Sequence, residues 1–172
     1  MEIFDYVLPG ARATLGYAER LLKGIPTELS ACRPVVNGRT IDCNHPVFLF
    51  GHLSLYPQLV ASMTGIPKEG LEVPAHYPGL FQIGSPCQED PQGDMYPSLS
   101  EVSERFFTGM KNLLERVKEI EPEKMNAILE DPGRRERFGT VGAFVVYVLL
   151  AHPQTHLGQL SVWRRCAGLG AA

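Results

Sequence analysis

Apolar residues recur at three- and four-residue spacing in four stretches of the chain, the spacing of one buried helix face. In the first, Phe4, Leu8, Ala11, Leu15, Ala18 and Leu22 form a stripe that predicts a helix from Ile3 to about Lys23. Pro9 either starts its main part or kinks it, and Gly24-Ile25-Pro26 closes it. A second helix is expected from an Asn44 N-cap to about Thr64, with His45 and Pro46 in its first turn and Gly65 and Pro67 beyond its end. Its inward residues are Leu49, His52, Leu53, Tyr56, Leu59, Val60 and Met63. The third opens on Ser98 and Glu101, a capping box, and runs through Leu99, Val102, Phe106, Met110, Leu113, Val117 and Ile120 to a stop at Pro122. The fourth spans about Thr140 to Ala167, with Gly168 after it. From Val141 to Leu150 it is apolar on nearly every face, as befits a helix in the middle of a bundle. The pattern as a whole predicts an all-α four-helix bundle, one domain over residues 1–172.

Residues 66–97 break this pattern. Six prolines and four glycines in 32 residues leave little periodicity, in a connection longer than compact domains ordinarily carry. Two readings stand side by side, a structured lid over one end of the bundle and a plain crossover between helices two and three. Glu123 to Glu130 adds a short surface helix before Asp131-Pro132-Gly133.

Composition narrows the function. A net charge of −3 argues against nucleic acid, whose binders present a basic face. The basic cluster Arg134-Arg135-Glu136-Arg137 is short and reads as a solvated loop or the start of a helix. Cys32, Cys43, Cys87 and Cys166 show no C-x-x-C spacing, against a zinc ribbon or a thioredoxin-like site, although an even count leaves two disulfides open. Met1-Glu2-Ile3-Phe4-Asp5 lacks the basic start and apolar run of a signal peptide, and Ala143 to Ala151 is too short to span a bilayer. The expected setting is the cytoplasm, without membrane or nucleic-acid partners.

Three of the five histidines are placed to converge. His152 and His156, four apart, project from one helix face with Cβ atoms about 5–6 Å apart. Their stripe continues through Val145, Val148 and Leu149, so the pair faces inward. His52 lies among Phe48, Leu49, Leu55 and Tyr56 on the second helix. A lone inward histidine is ordinarily hydrogen-bonded to a neighbour. Three of them need partners for six ring nitrogens, and one shared metal meets that demand at one nitrogen of each ring. Three protein ligands on a divalent ion leave a position for water or substrate. Pro57 and Pro153 would each free a carbonyl one turn back, at Leu53 and Leu149, and bend the helices near these ligands, either widening a pocket or merely fitting them round the core. Tyr56 and Tyr147 are candidate acid–base groups by position. His76 either swings over the site or sits on the surface, His45 serves the start of its helix, and Cys43 and Cys166 would be reactive only if exposed and electropositively placed.

The segment His152-Pro-Gln-Thr-His156-Leu-Gly-Gln159-Leu, followed by Arg164-Arg165 and Gly168, resembles the H-x-x-x-H-x-G-Q signature of the DinB-like (YfiT-like) metal-dependent family. Asn44-His-Pro-Val-Phe-Leu-Phe-Gly-His52-Leu resembles the second-helix motif of the same family. The motifs cover about 30 residues, and helix order, overall length and the long second-to-third connection agree as well. The resemblance implies a four-helix bundle in which His52, His152 and His156 bind a divalent ion such as nickel or zinc, often in a homodimer. It also implies a thiol-dependent transferase, or a hydrolase, acting on a small-molecule substrate. Pro153 stands where relatives often carry an acidic residue, which removes a carboxylate from that place. Within the motif, Gln159 would hydrogen-bond a ligand or bound water, or else a backbone group, and Gly158 would allow close helix contact. Arg164 and Arg165 would draw an anionic substrate or, better, meet a helix C-terminus. The expected function is thus a metal-dependent enzyme, with thiol transfer ahead of hydrolysis and a low-molecular-weight thiol as partner. The alternative is a non-catalytic bundle, dimeric or not, with structural or metal-binding histidines.

Overall fold

The computed structural model describes residues 3–172; Met1 and Glu2, part of the N-terminal stretch considered above, lie outside them. The chain is mainly helical, with long helices α1 (Ile3–Leu22), α2 (Pro46–Thr64) and α4 (Leu99–Arg116) and a broken pair, α7 (Val141–Leu149) and α8 (Ala151–Cys166). Short helices α3 (Tyr77–Phe81), α5 (Pro122–Asn126) and α6 (Pro132–Phe138) sit in the connections. A two-residue hairpin, β1 (Val35–Val36) and β2 (Arg39–Thr40), turns on Asn37 and Gly38, whose φ values of 51° and 75° are those of a type I′ turn.

Each long helix buries the stripe its sequence marks. On α1 this is Phe4, Leu8, Ala11, Leu15 and Ala18, completed by Leu21 instead of Leu22; the helix runs on through Pro9, which faces outward. On α4 it is Val102, Phe106, Met110, Leu113 and Leu114. Ser98 caps α4 by accepting from Glu101 N–H, but the Glu101 carboxylate does not close the capping box. It accepts instead from the Tyr77 hydroxyl at 2.9 Å and so fastens α3 to α4. The α-helical part of this segment ends at Arg116, and a 3₁₀ turn carries it to Glu119 before Pro122 opens α5.

The middle of the fold belongs to α2. From Pro46 to Ser54 every residue is buried, and α4 packs along the helix so closely that a Cβ on Gly109 would lie 3.1 Å from the Pro57 ring. The N-cap of α2 is His45, one residue later than expected: its Nδ1 accepts from Phe48 N–H, and its Nε2 donates to the Gln88 carbonyl. The histidine thus fastens the 66–97 connection to the start of α2. Asp90 organises the same connection by accepting from the N–H groups of Asp94, Met95 and Tyr96.

The expected fourth helix is interrupted. Leu150, at φ −121° and ψ −72°, ends α7 and precedes α8. Pro153 does not kink a continuous helix. It occupies the third position of α8, where an N–H would have had no partner within the helix. Gln154 Nε2 donates to Thr14 Oγ1, Trp163 Nε1 to the Cys32 carbonyl, and Arg164 Nη1 to the carbonyls of Leu21 and Lys23, tying α8 to α1 and to the segment beyond it. Arg164 is therefore a buried cap on the C-terminal end of α1, where a cation is favoured. None of the four cysteines is disulfide-bonded, and no helix among the described residues is long and apolar enough to cross a membrane.

Candidate metal centre

The break at Leu150 points the first turn of α8 at the middle of α2. His152 and His156, one turn apart on α8, meet His52 there: His152 Nε2 lies 3.2 Å from His52 Nε2 and 3.2 Å from His156 Nε2. One ligand atom from each of the three falls within 4.8 Å of the others. His52 and His152 are buried and His156 is half-buried.

The partners of the remaining ring nitrogens fix the protonation pattern. His52 Nδ1 is 2.7 Å from the Phe81 carbonyl oxygen, which can only accept, so Nδ1 carries the proton. His156 Nδ1 is 3.0 Å from Gln159 Oε1 and carries its proton for the same reason. Neutral rings so arranged turn Nε2 lone pairs toward His152 Nε2. One proton on His152 Nε2 would serve one of them and leave the other unmet. With that proton on Nδ1 instead, three lone pairs face one another, and Nδ1 is buried without a hydrogen-bond partner among the described residues. Among the described residues no hydrogen bond serves both flanking lone pairs, whereas a cation shared by the three Nε2 atoms would satisfy all three and leave only His152 Nδ1–H without a partner. The two 3.2 Å spacings lie close to tetrahedral geometry: ligand bonds of about 2.0–2.1 Å at a tetrahedral angle set two nitrogens about 3.3–3.4 Å apart. Nδ1–H bonds to a backbone carbonyl and to a side chain are the support that metal-binding imidazoles ordinarily have.

The electrostatics keep the rings neutral, the form a metal requires. Burial lowers the pKa of His52, against the Phe81 hydrogen bond, with His156 lowering it further. His156 is lowered by burial and partly restored by Gln159. His152 falls to about 2, through burial first and then the neighbouring His156, His52 and Arg137.

Gly51 makes the His52 support possible. A Cβ there would sit 2.5 Å from the Phe81 ring, so only glycine lets that ring lie against α2 and bring its carbonyl to His52. Gly158, by contrast, faces open space, and close helix contact is not its role. Gln159 Oε1 accepts from His156 Nδ1. Tyr56 packs on His152 with ring centroids 3.9 Å apart, and Tyr147 lies 5.4 Å away on the same ring. Burial raises the Tyr56 phenol above its ordinary value, with Tyr147 adding to the effect and Arg134 and Arg137 opposing it. Tyr56 is thus a hydrogen-bond donor at neutral pH and not a base.

A cavity of about 630 Å³ opens over the three rings, walled by Phe48, Tyr56, Phe144 and Tyr147, by Gln82 and Ile83 of the 66–97 connection, and by Arg134 and Arg137 of α6. The connection thus forms part of the cavity rim while Tyr77 and Phe81 anchor it in the core. His76 is exposed and takes no part in this lining. Cys43 and Cys166 lie outside it as well, and burial raises the Cys43 thiol, the opposite of activation. Arg165 donates to Ser161 on its own helix. The basic cluster read as a solvated loop or the start of a helix lies on α6, with Arg137 exposed and Arg134 half-buried, but that reading did not place these two arginines at the cavity, although their three-residue spacing puts both on one face of a helix.

No family model, curated protein or solved structure matches the chain.

Proposed function

We propose that this protein is a DinB-like four-helix bundle that binds one divalent ion, nickel or zinc, at the Nε2 atoms of His52, His152 and His156, and that it is an enzyme acting on a small molecule, by thiol transfer ahead of hydrolysis. The observation that carries the reading is the convergence of two tautomer-fixed Nε2 lone pairs on a third imidazole at the floor of a cavity. The packing of α1, α2, α4 and the α7–α8 pair around one core supports the bundle, and the two histidine motifs support the family. When bound, the ion supplies Lewis acidity, enough to bring the pKa of a thiol or water at its open position toward neutrality. The protein's own residues do the rest. Phe81 and Gln159 hold two rings in the ligating tautomer. Phe144, Tyr147 and Tyr56 exclude water from one side, and the Tyr56 hydroxyl keeps its proton for donation to a bound group.

Elemental analysis of protein purified without a metal-affinity tag tests the site. Near-stoichiometric nickel or zinc is expected in the wild type and its loss in His156→Ala; equal metal in both would sink the assignment. Incubating the loaded protein with low-molecular-weight thiols and electrophiles then tests catalysis. Rates above those of His156→Ala support the transferase, and equal rates leave the non-catalytic metal-binding bundle. The same reading carries a homodimer, to be checked by light scattering.

A further inference from the structure

We infer that the cavity selects small molecules carrying a carboxylate, and that Arg134 and Arg137 are the residues that hold it. The inference rests on the metal-site reading and adds the class of substrate. Both arginines stand on α6, three residues apart, and both line the cavity above the histidines. Their guanidinium carbons lie over rings that line the same space, Arg134 at 5.8 Å from the Phe144 centroid and Arg137 at 5.2 Å from that of Phe138. Neither takes part in an ion pair among the described residues. Asp131, on the same wall, is engaged in capping α6 by accepting from Arg134 N–H at 2.8 Å.

Two cations without ion-pair partners, set against the one carboxylate of Asp131, leave a net positive charge on this wall beside three neutral imidazoles, and a bound divalent ion would add to it. A guanidinium is the side chain best suited to a planar carboxylate, which it meets with two parallel N–H donors. The aromatic and apolar residues that line the same cavity as the arginines and the histidines suit the body of a small molecule whose other end would reach a bound ion. The inferred ligand therefore has an anionic head at α6, a short apolar stem, and a soft or oxygen donor at the histidines.

The test uses cobalt(II)-loaded full-length protein and two thiols differing only in charge, 3-mercaptopropionate and its neutral amide. Binding is read from the sulfur-to-cobalt charge-transfer band, with no reliance on turnover. The wild type is expected to bind the carboxylate roughly tenfold tighter, the size of one charge-assisted hydrogen bond. In R134Q/R137Q the two thiols should bind within about twofold of each other, with cobalt stoichiometry and affinity for the amide unchanged. Equal binding of the two thiols by the wild type overturns the inference. So does a preference that survives in R134Q/R137Q, which would assign it to chelation by the metal, and so does failure of both thiols to bind the cobalt-loaded protein. If the wild type takes up no more cobalt than His156→Ala, the metal-site reading itself fails and takes this inference with it.

Discussion

Gly51 and Gln159 would act on a bound ion without touching it, through His52 and His156. Substituting Gly51→Ala drives a methyl group into the Phe81 ring and shifts the carbonyl that orients His52. The expected cost is about 1–3 kcal/mol of stability, as for other overpacked cores, read from denaturant unfolding of the apo protein. Metal affinity should fall as well, because His52 loses its fixed tautomer. Gln159→Leu removes the partner of His156 Nδ1 at an exposed position, so the fold should be unaffected. A loss of roughly tenfold in zinc affinity is expected, at the low end for partners of ligating histidines. A competition titration against a chromophoric chelator measures it, and an unchanged affinity would show that Gln159 does not orient the ligand. In the sequence His52, His152 and His156 are legible because their helical phase is inward and their number exceeds what ordinary partners satisfy. The roles of Gly51 and Gln159 depend on the Phe81 ring and the His156 rotamer, which no local pattern encodes.

The break at Leu150 is the element-scale feature that makes the site. An unbroken apolar run from Val141 through Leu150 reads as one helix, and the break falls three residues before the proline that seemed to mark it. Propensity locates proline's effect only to within a turn, since Pro153 is as well suited to the first turn of a new helix as it is ill suited to a helix interior. The two cases predict opposite signs. If Pro153 kinked a continuous helix, Pro153→Ala would restore a hydrogen bond to Leu149 and stabilise the protein. With Pro153 in the first turn of α8, alanine regains no such bond and frees the unfolded chain, so a loss of about 0.4–1 kcal/mol is expected. Thermal denaturation of the two proteins decides between them. Elsewhere the stripes of α1 and α4 were readable to within a turn, whereas the β1–β2 hairpin was not anticipated, although Asn37-Gly38 is a standard turn signal. The 66–97 connection was not readable, because its order comes from long-range ties such as His45 to Gln88 and His52 to Phe81.

On the scale of the whole molecule, burial of neutral histidines makes stability depend on pH. His45, His52, His152 and His156 all have pKa values below the ordinary 6.5, burial being the leading cause in each. Below pH 6.5 the unfolded chain therefore binds more protons than the folded one, and stability falls with pH. It is fully present above 6.5 and is lost through the interval beneath it, which for His152 extends to about 2. Each such histidine contributes up to about 1.4 kcal/mol per pH unit in that window. Urea unfolding of the apo protein should thus show a midpoint that is flat from pH 7 to 8 and falls steadily from 6 to 4.5. A midpoint independent of pH over that lower range would mean that these rings are as accessible to protons folded as unfolded. A bound metal would add stability by mass action, about 2.7 kcal/mol at a free concentration one hundred times Kd, and chelation should remove it.

The most direct test of the account is X-ray absorption at the metal edge of zinc-loaded protein. It should report about three imidazole nitrogens at about 2.0–2.1 Å, with the outer-shell scattering of histidine rings, and one further oxygen or nitrogen donor without it. In His156→Ala the edge itself should be lost with the metal. Sulfur at about 2.3 Å, or a shell without imidazole scattering, would place the metal elsewhere and contradict the assignment.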